Sequence, residues 1–178
     1  MRKLKWSLVL GALAAVLVVG TALALQNQPS PAAAKKEAAC SYAGVAGDWG
    51  HSLTGTIYPP TAPGSVPMAT AGRTVFKADG TISGTQTGSV NGVVADEVIR
   101  GTWTVNPDCT GMMTVDILDQ QGNVSRTAIW AMVYVDNQTE SRGIIKSLVR
   151  VTASGPVNVP AIVTQNAKKL FPVTEDMQ

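Results

Sequence analysis

Apolar and polar residues alternate with a period of two along most of the chain after residue 45, which predicts β-strands. Turn residues divide this alternation into seven predicted strands, at 45–57, 67–78, 81–90, 93–105, 112–118, 124–135 and 142–152. Asp79-Gly80 and Asn91-Gly92 are predicted as two-residue hairpin turns, because both dipeptides accept positive φ. The one helix candidate is weak and covers 161–170.

Consecutive antiparallel strands joined by short turns close most easily into a barrel. We therefore predict an all-β domain at 40–153, a small up-and-down β-barrel of seven or eight strands, followed by a C-terminal tail at 154–178. A two-sheet β-sandwich is the alternative, although it needs at least one long crossing connection.

The first 39 residues carry a different pattern. Arg2, Lys3 and Lys5 precede an apolar run at 6–25, which ends near the small residues of Ala22-Leu23-Ala24. This layout predicts a signal peptide at 1–24, but the apolar run is also long enough for an uncleaved membrane anchor. The Gln-, Pro-, Ala- and Lys-rich stretch at 25–39 is predicted to be a flexible linker. The expected location is secreted, periplasmic or at the cell envelope.

Charge narrows the range of partners. The formal net charge is +2, but only 11 basic residues face 12 acidic ones once the three in the leader are set aside. Because these basic residues are scattered, no stripe of Lys and Arg is available for phosphates, and we expect no nucleic-acid partner. Membrane contact is expected only through an uncleaved leader. The 45% of hydrophobic residues is enough for a buried core.

The two cysteines, Cys40 and Cys109, predict a disulfide, because an even number of cysteines in an exported chain favours pairing. No CxxC motif points to a redox or zinc site, so no metal is expected. The absence of a phosphate loop or a G-x-S-x-G motif gives no reason to expect a cofactor.

Strand alternation selects five candidate ligand-binding residues. Trp49 and His51 share a face of the first strand, Trp103 lies on the apolar face of the fourth, and Arg126 and Trp130 share a face of the sixth. His51 either contacts a ligand or is a rim residue bonded to a neighbour. Arg126 either grips an anionic group or reaches into solvent. The three tryptophans either line a pocket or form the core.

Two segments resemble a group of secreted bacterial domains of unknown function. They are FKADGTISGTQTGSVNG, from Phe76 to Gly92, and GTWTVNPDCTG, from Gly101 to Gly111. Cys40 and Asp48-Trp49-Gly50 match the opening of that domain, and the resemblance covers about residues 40–150. Members of the group are similar in fold to allene oxide cyclase and dirigent proteins, whose barrels are lipocalin-like. The resemblance implies a barrel with space for a small molecule, and it transfers no catalytic residue, because fold does not fix function.

Three functions agree with these features. The first is a non-enzymatic exported barrel that binds a small apolar ligand or an envelope partner. The second is an enzyme of the isomerase or cyclase type that uses the barrel cavity. The third is a structural or adhesive surface module with a filled interior.

The leader yields the first prediction. If 1–24 is a signal peptide, N-terminal sequencing of the exported protein will begin at or near Leu25, because a peptidase reads the small residues Ala22 and Ala24. Recovery of the full-length chain in the membrane fraction would instead identify the apolar run as an anchor.

Overall fold

A computed structural model describes residues 39–60 and 64–170. This part of the chain contains one short helix, α1 (Tyr42–Val45), and nine strands. The strands are β1 (Gly47–Ile57), β2 (Val66–Phe76), β3 (Thr81–Val90), β4 (Val93–Val105), β5 (Thr110–Leu118), β6 (Val124–Val135), β7 (Glu140–Thr152), β8 (Gly155–Asn158) and β9 (Ala161–Lys169). The predicted leader and all but the last residue of the predicted linker lie outside the described residues. Within those residues, no helix has the length and apolarity needed to cross a bilayer.

The strands form a closed antiparallel barrel, which confirms the predicted fold class. Each strand from β1 to β7 pairs with the next, and β9 pairs with both β1 and β7, so that eight strands close the sheet. The extra strand, β8, pairs with the end of β7, from Val149 to Thr152. Pro160 separates β8 from β9 and has no N–H to donate, but its carbonyl accepts from the Tyr58 N–H at 2.8 Å. The two strands therefore follow one edge of β7 with a break at the proline.

The C-terminal boundary of the domain needs correction. All seven predicted strands are present with ends within two residues of the prediction, but the predicted tail from 154 contains β8 and β9. The helix candidate at 161–170 is likewise wrong, since Ala161–Lys169 is a strand. Its alternate residues Val163, Gln165 and Ala167 are buried inside the barrel. The period of two is therefore real, but the apolar Ile162 on the outside and the polar Gln165 on the inside obscure it in the sequence.

The two predicted hairpin turns differ in the length of their loops. Asn91 and Gly92 have φ of 50° and 81°, as a two-residue turn with two left-handed positions requires. At the other hairpin only Gly80 has positive φ, and Lys77 N–H donates to the Thr81 carbonyl. That hairpin loop therefore has three residues, and the two-residue prediction is wrong there.

One end of the barrel is filled by four aromatic side chains, which we call the aromatic floor. Neighbouring ring centroids lie 5.3–6.4 Å apart, a spacing typical of favourable tilted and edge-to-face pairs. All four are at most 3% exposed: Trp49, Phe76, Trp103 and Tyr134. This end is the solid core of the domain.

The segment before β1 covers the aromatic floor from outside. The predicted disulfide is confirmed, since Cys40 is bonded to Cys109 in the β4–β5 turn. The Ser41 N–H donates to Gln138 Oε1 at 3.0 Å, and Lys169 Nζ donates to the Gly44 carbonyl at 2.7 Å. The disulfide thus holds a short lid, residues 40–46, against the closed end.

We predict that reduction of this disulfide will destabilise the barrel. The bond closes a loop with a sequence separation of 69, and releasing it should cost about 4 kcal/mol in the chain-entropy account. Thermal unfolding with and without reductant measures the change as a fall in Tm. A Cys40→Ser/Cys109→Ser variant is the control, because its Tm should not respond to reductant. Equal Tm values for the oxidised and reduced native protein would contradict the prediction.

Candidate ligand-binding cavity

The other end of the barrel encloses a cavity of about 400 Å³. It lies above the aromatic floor, and its mouth is bordered by Pro59 and Pro60 after β1 and by Thr152 at the end of β7. Apolar side chains from most of the barrel strands line it, among them Leu53, Ile57, Met68, Ile99, Val115, Ile117, Leu148 and Val163.

The cavity exists because several of the residues that face it have small side chains. Large aromatic residues occupy the strand ends at the floor, whereas smaller residues hold lumenal positions farther up. Thr70 and Ala128 line the cavity. Gly84 and Gly88 lie two residues before and after the lining residue Gln86 on β3, so they share its lumenal face. An eight-stranded barrel has an interior that side chains can just fill, so small residues at these positions leave room for a molecule.

Five polar side chains run along one wall of the cavity, and we call them the polar chain. The Thr74 hydroxyl lies 2.9 Å from His51 Nδ1, and His51 Nε2 lies 3.3 Å from Gln86 Oε1. Gln86 Nε2 donates to Glu97 Oε2 at 2.8 Å, and Arg126 Nη2 donates to both Glu97 oxygens at 2.6 Å. The polar chain therefore joins five strands, β2, β1, β3, β4 and β6.

The charged end of the polar chain fixes the direction of every hydrogen bond in it. Because the Glu97 carboxylate only accepts, the Gln86 amide turns its nitrogen to Glu97 and its oxygen to His51. That oxygen requires a donor, which assigns the proton of neutral His51 to Nε2. Nδ1 is then an acceptor for the Thr74 hydroxyl. Both ring nitrogens of His51 are thus satisfied by protein groups.

Gly72 is the reason that His51 and Gln86 can meet. In the strand register Gly72 lies between them, opposite His51 on one side and Gln86 on the other. A Cβ at this position would come within 2.6 Å of Gln86 Cβ. Because Gly72 has no side chain, the side chains of His51 on β1 and Gln86 on β3 can hydrogen-bond across β2.

The ion pair at the mouth is partly shielded from water. The side chain of Glu97 is 12% exposed and that of Arg126 is 27% exposed. Asp96 points the other way and accepts from the Thr87 hydroxyl at 2.7 Å on the outside of the barrel. Because the two side chains point in opposite directions, Asp96 and Glu97 do not form a paired-carboxylate site.

The structure brings three of the five sequence-selected residues together. His51, Arg126 and Trp130 line the cavity, whereas Trp49 and Trp103 lie in the aromatic floor. Their indole N–H groups donate to the backbone carbonyls of residues 45 and 77, at 3.0 and 3.1 Å. Both tryptophans therefore belong to the core, with no polar group turned to the cavity.

Sequence reasoning missed Gln86, Glu97 and Arg150, which complete the polar part of the site. Gln86 and Arg150 line the cavity, and Glu97 joins Gln86 to the Arg126 guanidinium. The sequence contained one indication that Glu97 faces the lumen. It lies two residues before the apolar Ile99 on the same strand, and so shares its face.

The polar chain leaves His51 without a free ring nitrogen. Burial lowers the pKa of His51 from its ordinary value of 6.5, although the hydrogen bond with Gln86 opposes the shift. His51 is therefore neutral at neutral pH, with neither nitrogen available to a ligand. Among residues 39–60 and 64–170, no group of three or more His, Cys, Asp and Glu side chains is placed to hold a metal ion.

We predict that the stability of the protein falls as the pH is lowered below about 6.5. The unfolded chain takes up a proton at His51 near the ordinary pKa of 6.5, whereas the folded protein takes it up only at lower pH. Acidification through this window therefore favours unfolding. Urea unfolding between pH 7.5 and 5.5 measures the free energy of unfolding directly.

His51→Gln is the matched control, because its amide can still donate to Gln86 but does not titrate. This variant should lose the pH dependence in that window. His51 is the only histidine in the chain, so its NMR titration is unambiguous. An imidazole pKa at or above 6.5 in the folded protein would contradict the prediction.

Comparison with protein-family models and with curated protein sequences finds no match to this chain. The resemblance to secreted bacterial domains of unknown function therefore stays a prediction.

Proposed function

We propose that this protein is an exported, non-enzymatic barrel that binds one small, mainly apolar ligand in its cavity. The observation that carries the proposal is the cavity itself, about 400 Å³ in volume with a mostly apolar wall. This volume lies within the range of about 300–1,000 Å³ that is usual for small-molecule sites. A few polar groups on one side, as the polar chain supplies here, are also usual in such sites.

The volume of the cavity limits the size of the ligand. Since a water molecule occupies about 30 Å³ in the liquid, the cavity holds about a dozen groups of that size. Water gains few hydrogen bonds from the apolar wall, so an apolar molecule has a clear advantage there. Each square ångström of apolar surface that the ligand buries contributes roughly 25 cal/mol, before the entropy of association is subtracted.

The state of the polar chain favours binding over catalysis. A general acid or base needs a proton position that the substrate can reach, and both nitrogens of His51 already have protein partners. Glu97 is likewise held by Gln86 and Arg126. Because these groups hold one another in place, the wall of the cavity suits a preformed binding site.

Export is supported by two independent features. The Cys40–Cys109 disulfide is typical of proteins that fold in an oxidising compartment. The predicted leader provides a route to such a compartment.

We predict that Ala128→Phe will weaken binding of 1-decanol by tenfold or more. Ala128 lines the cavity and is 4% exposed, so a phenyl ring there would take up part of the ligand's volume. Isothermal titration calorimetry measures the affinity, and the fluorescence of Trp130 in the cavity wall gives a second readout.

Ala131→Phe is the matched control, because Ala131 lies on the same strand but faces out of the barrel. It should bind decanol like the unmodified protein. Thermal unfolding of both variants checks that the fold is intact. Failure of the unmodified protein to bind decanol, or equal binding by both variants, would refute the proposed function.

A further inference from the structure

Two arginines face each other at the mouth of the cavity. Arg126 on β6 and Arg150 on β7 are directly paired in the antiparallel register, and both line the cavity. Cross-strand partners lie close enough to interact, and like charges in such positions destabilise a sheet. The repulsion persists, because the guanidinium group of arginine stays charged in proteins.

Only one carboxylate offsets the two positive charges. Glu97 pairs with Arg126 through Nη2 alone, and within residues 39–60 and 64–170 no hydrogen bond reaches the Arg126 Nε or Nη1 atoms. In the same described part of the chain, Arg150 has neither an ion pair nor a side-chain hydrogen bond. The mouth therefore has a surplus of one positive charge and several unused N–H donors.

Other acidic groups near this end of the barrel are engaged elsewhere. Asp96 and Asp116 face outward and accept from the hydroxyls of Thr87 and Thr127. Asp119 accepts from the backbone N–H groups of residues 121 and 123 within the β5–β6 turn. None of these three carboxylates is paired with Arg150.

We propose that the ligand is an amphiphile with a single negative charge, whose anionic head binds between Arg126 and Arg150. This inference rests on the proposed function and deepens it. The apolar part of the ligand fills the cavity, while the head stays at the mouth, where it meets guanidinium donors that suit oxyanions. A monoanion balances the surplus charge, whereas a dianion would leave one excess negative charge at the mouth.

The test compares ligands that share an apolar chain and differ in the head group. Decanoate and decyl sulfate carry one negative charge, and 1-decanol carries none. Calorimetry on the full, folded protein should give tighter binding of both anions than of decanol. The affinity for the anions, but not for decanol, should also decrease with added salt.

Arg150→Gln is the decisive variant, since it removes the unpaired charge and leaves the Glu97–Arg126 pair in place. Binding of decanoate should weaken roughly tenfold to a hundredfold, the effect expected for loss of a hydrogen bond to a charged group. Binding of decanol should not change. Arg142→Gln is the matched control, because Arg142 is an exposed residue of the same strand that does not line the cavity.

The outcomes separate the inference from the proposed function. Tight binding of decanol with no preference for decanoate, or an Arg150→Gln variant that binds decanoate normally, overturns the anionic head and leaves the apolar site standing. Equal losses from Arg150→Gln and Arg142→Gln also overturn it, since they would reflect net charge alone. Failure of decanol to bind refutes the proposed function itself, whether or not the anions bind. Binding of decyl sulfate without binding of decanoate also overturns the inference, because a site for a single negative charge should accept both head groups.

Discussion

Pairing of β9 on both of its edges is the constraint on which the rest of this structure depends. Nine residues of β1 pair with Ala161–Lys169, and the first part of β7 pairs with the same strand. Without β9 the sheet would have two open edges, and water would reach the lumenal face of every strand. Val163 is fully buried in β9, and Gln165 is 5% exposed, which is possible only inside a closed wall. The aromatic floor, the cavity and the polar chain all require that closure.

The closed interior is divided between tight packing at one end and hydrogen bonding at the other. Tilted and edge-to-face ring pairs and the disulfide hold the floor, where dispersion and burial supply the stability. The cavity has no such packing across it, and there the polar chain also connects strands that are not neighbours, β1 with β3 and β4 with β6. Each link depends on the next, because removing one member leaves a buried partner unsatisfied at a cost of about 1–3 kcal/mol. Such a network keeps the wall in one arrangement around an empty space.

The local parts of the fold were predictable from the sequence, and the parts that join distant segments were not. Strands 81–90 and 93–105 and the turn at Asn91-Gly92 follow from alternation and turn chemistry over a few residues. β9 was missed because it places the apolar Ile162 outside and Gln165 and Ala167 inside, so that only partners on both sides make it a strand. The polar chain was missed for a related reason. Alternation assigns Glu97 to a face, but it does not give the register that brings Gln86 and Arg126 to it.

The position of Glu97 gives the cavity mouth two different sides. On the β3–β4 side its carboxylate is held by Gln86, which in turn orients a neutral His51, so this side carries hydrogen bonds but little net charge. On the β6–β7 side its charge is shared with Arg126 and does not extend to Arg150. A bound molecule therefore meets a field that is positive at one edge of the mouth and nearly neutral along the opposite wall. Orientation of a ligand then follows from this asymmetry, because an anionic group gains energy at only one edge while its apolar part is accepted throughout the cavity.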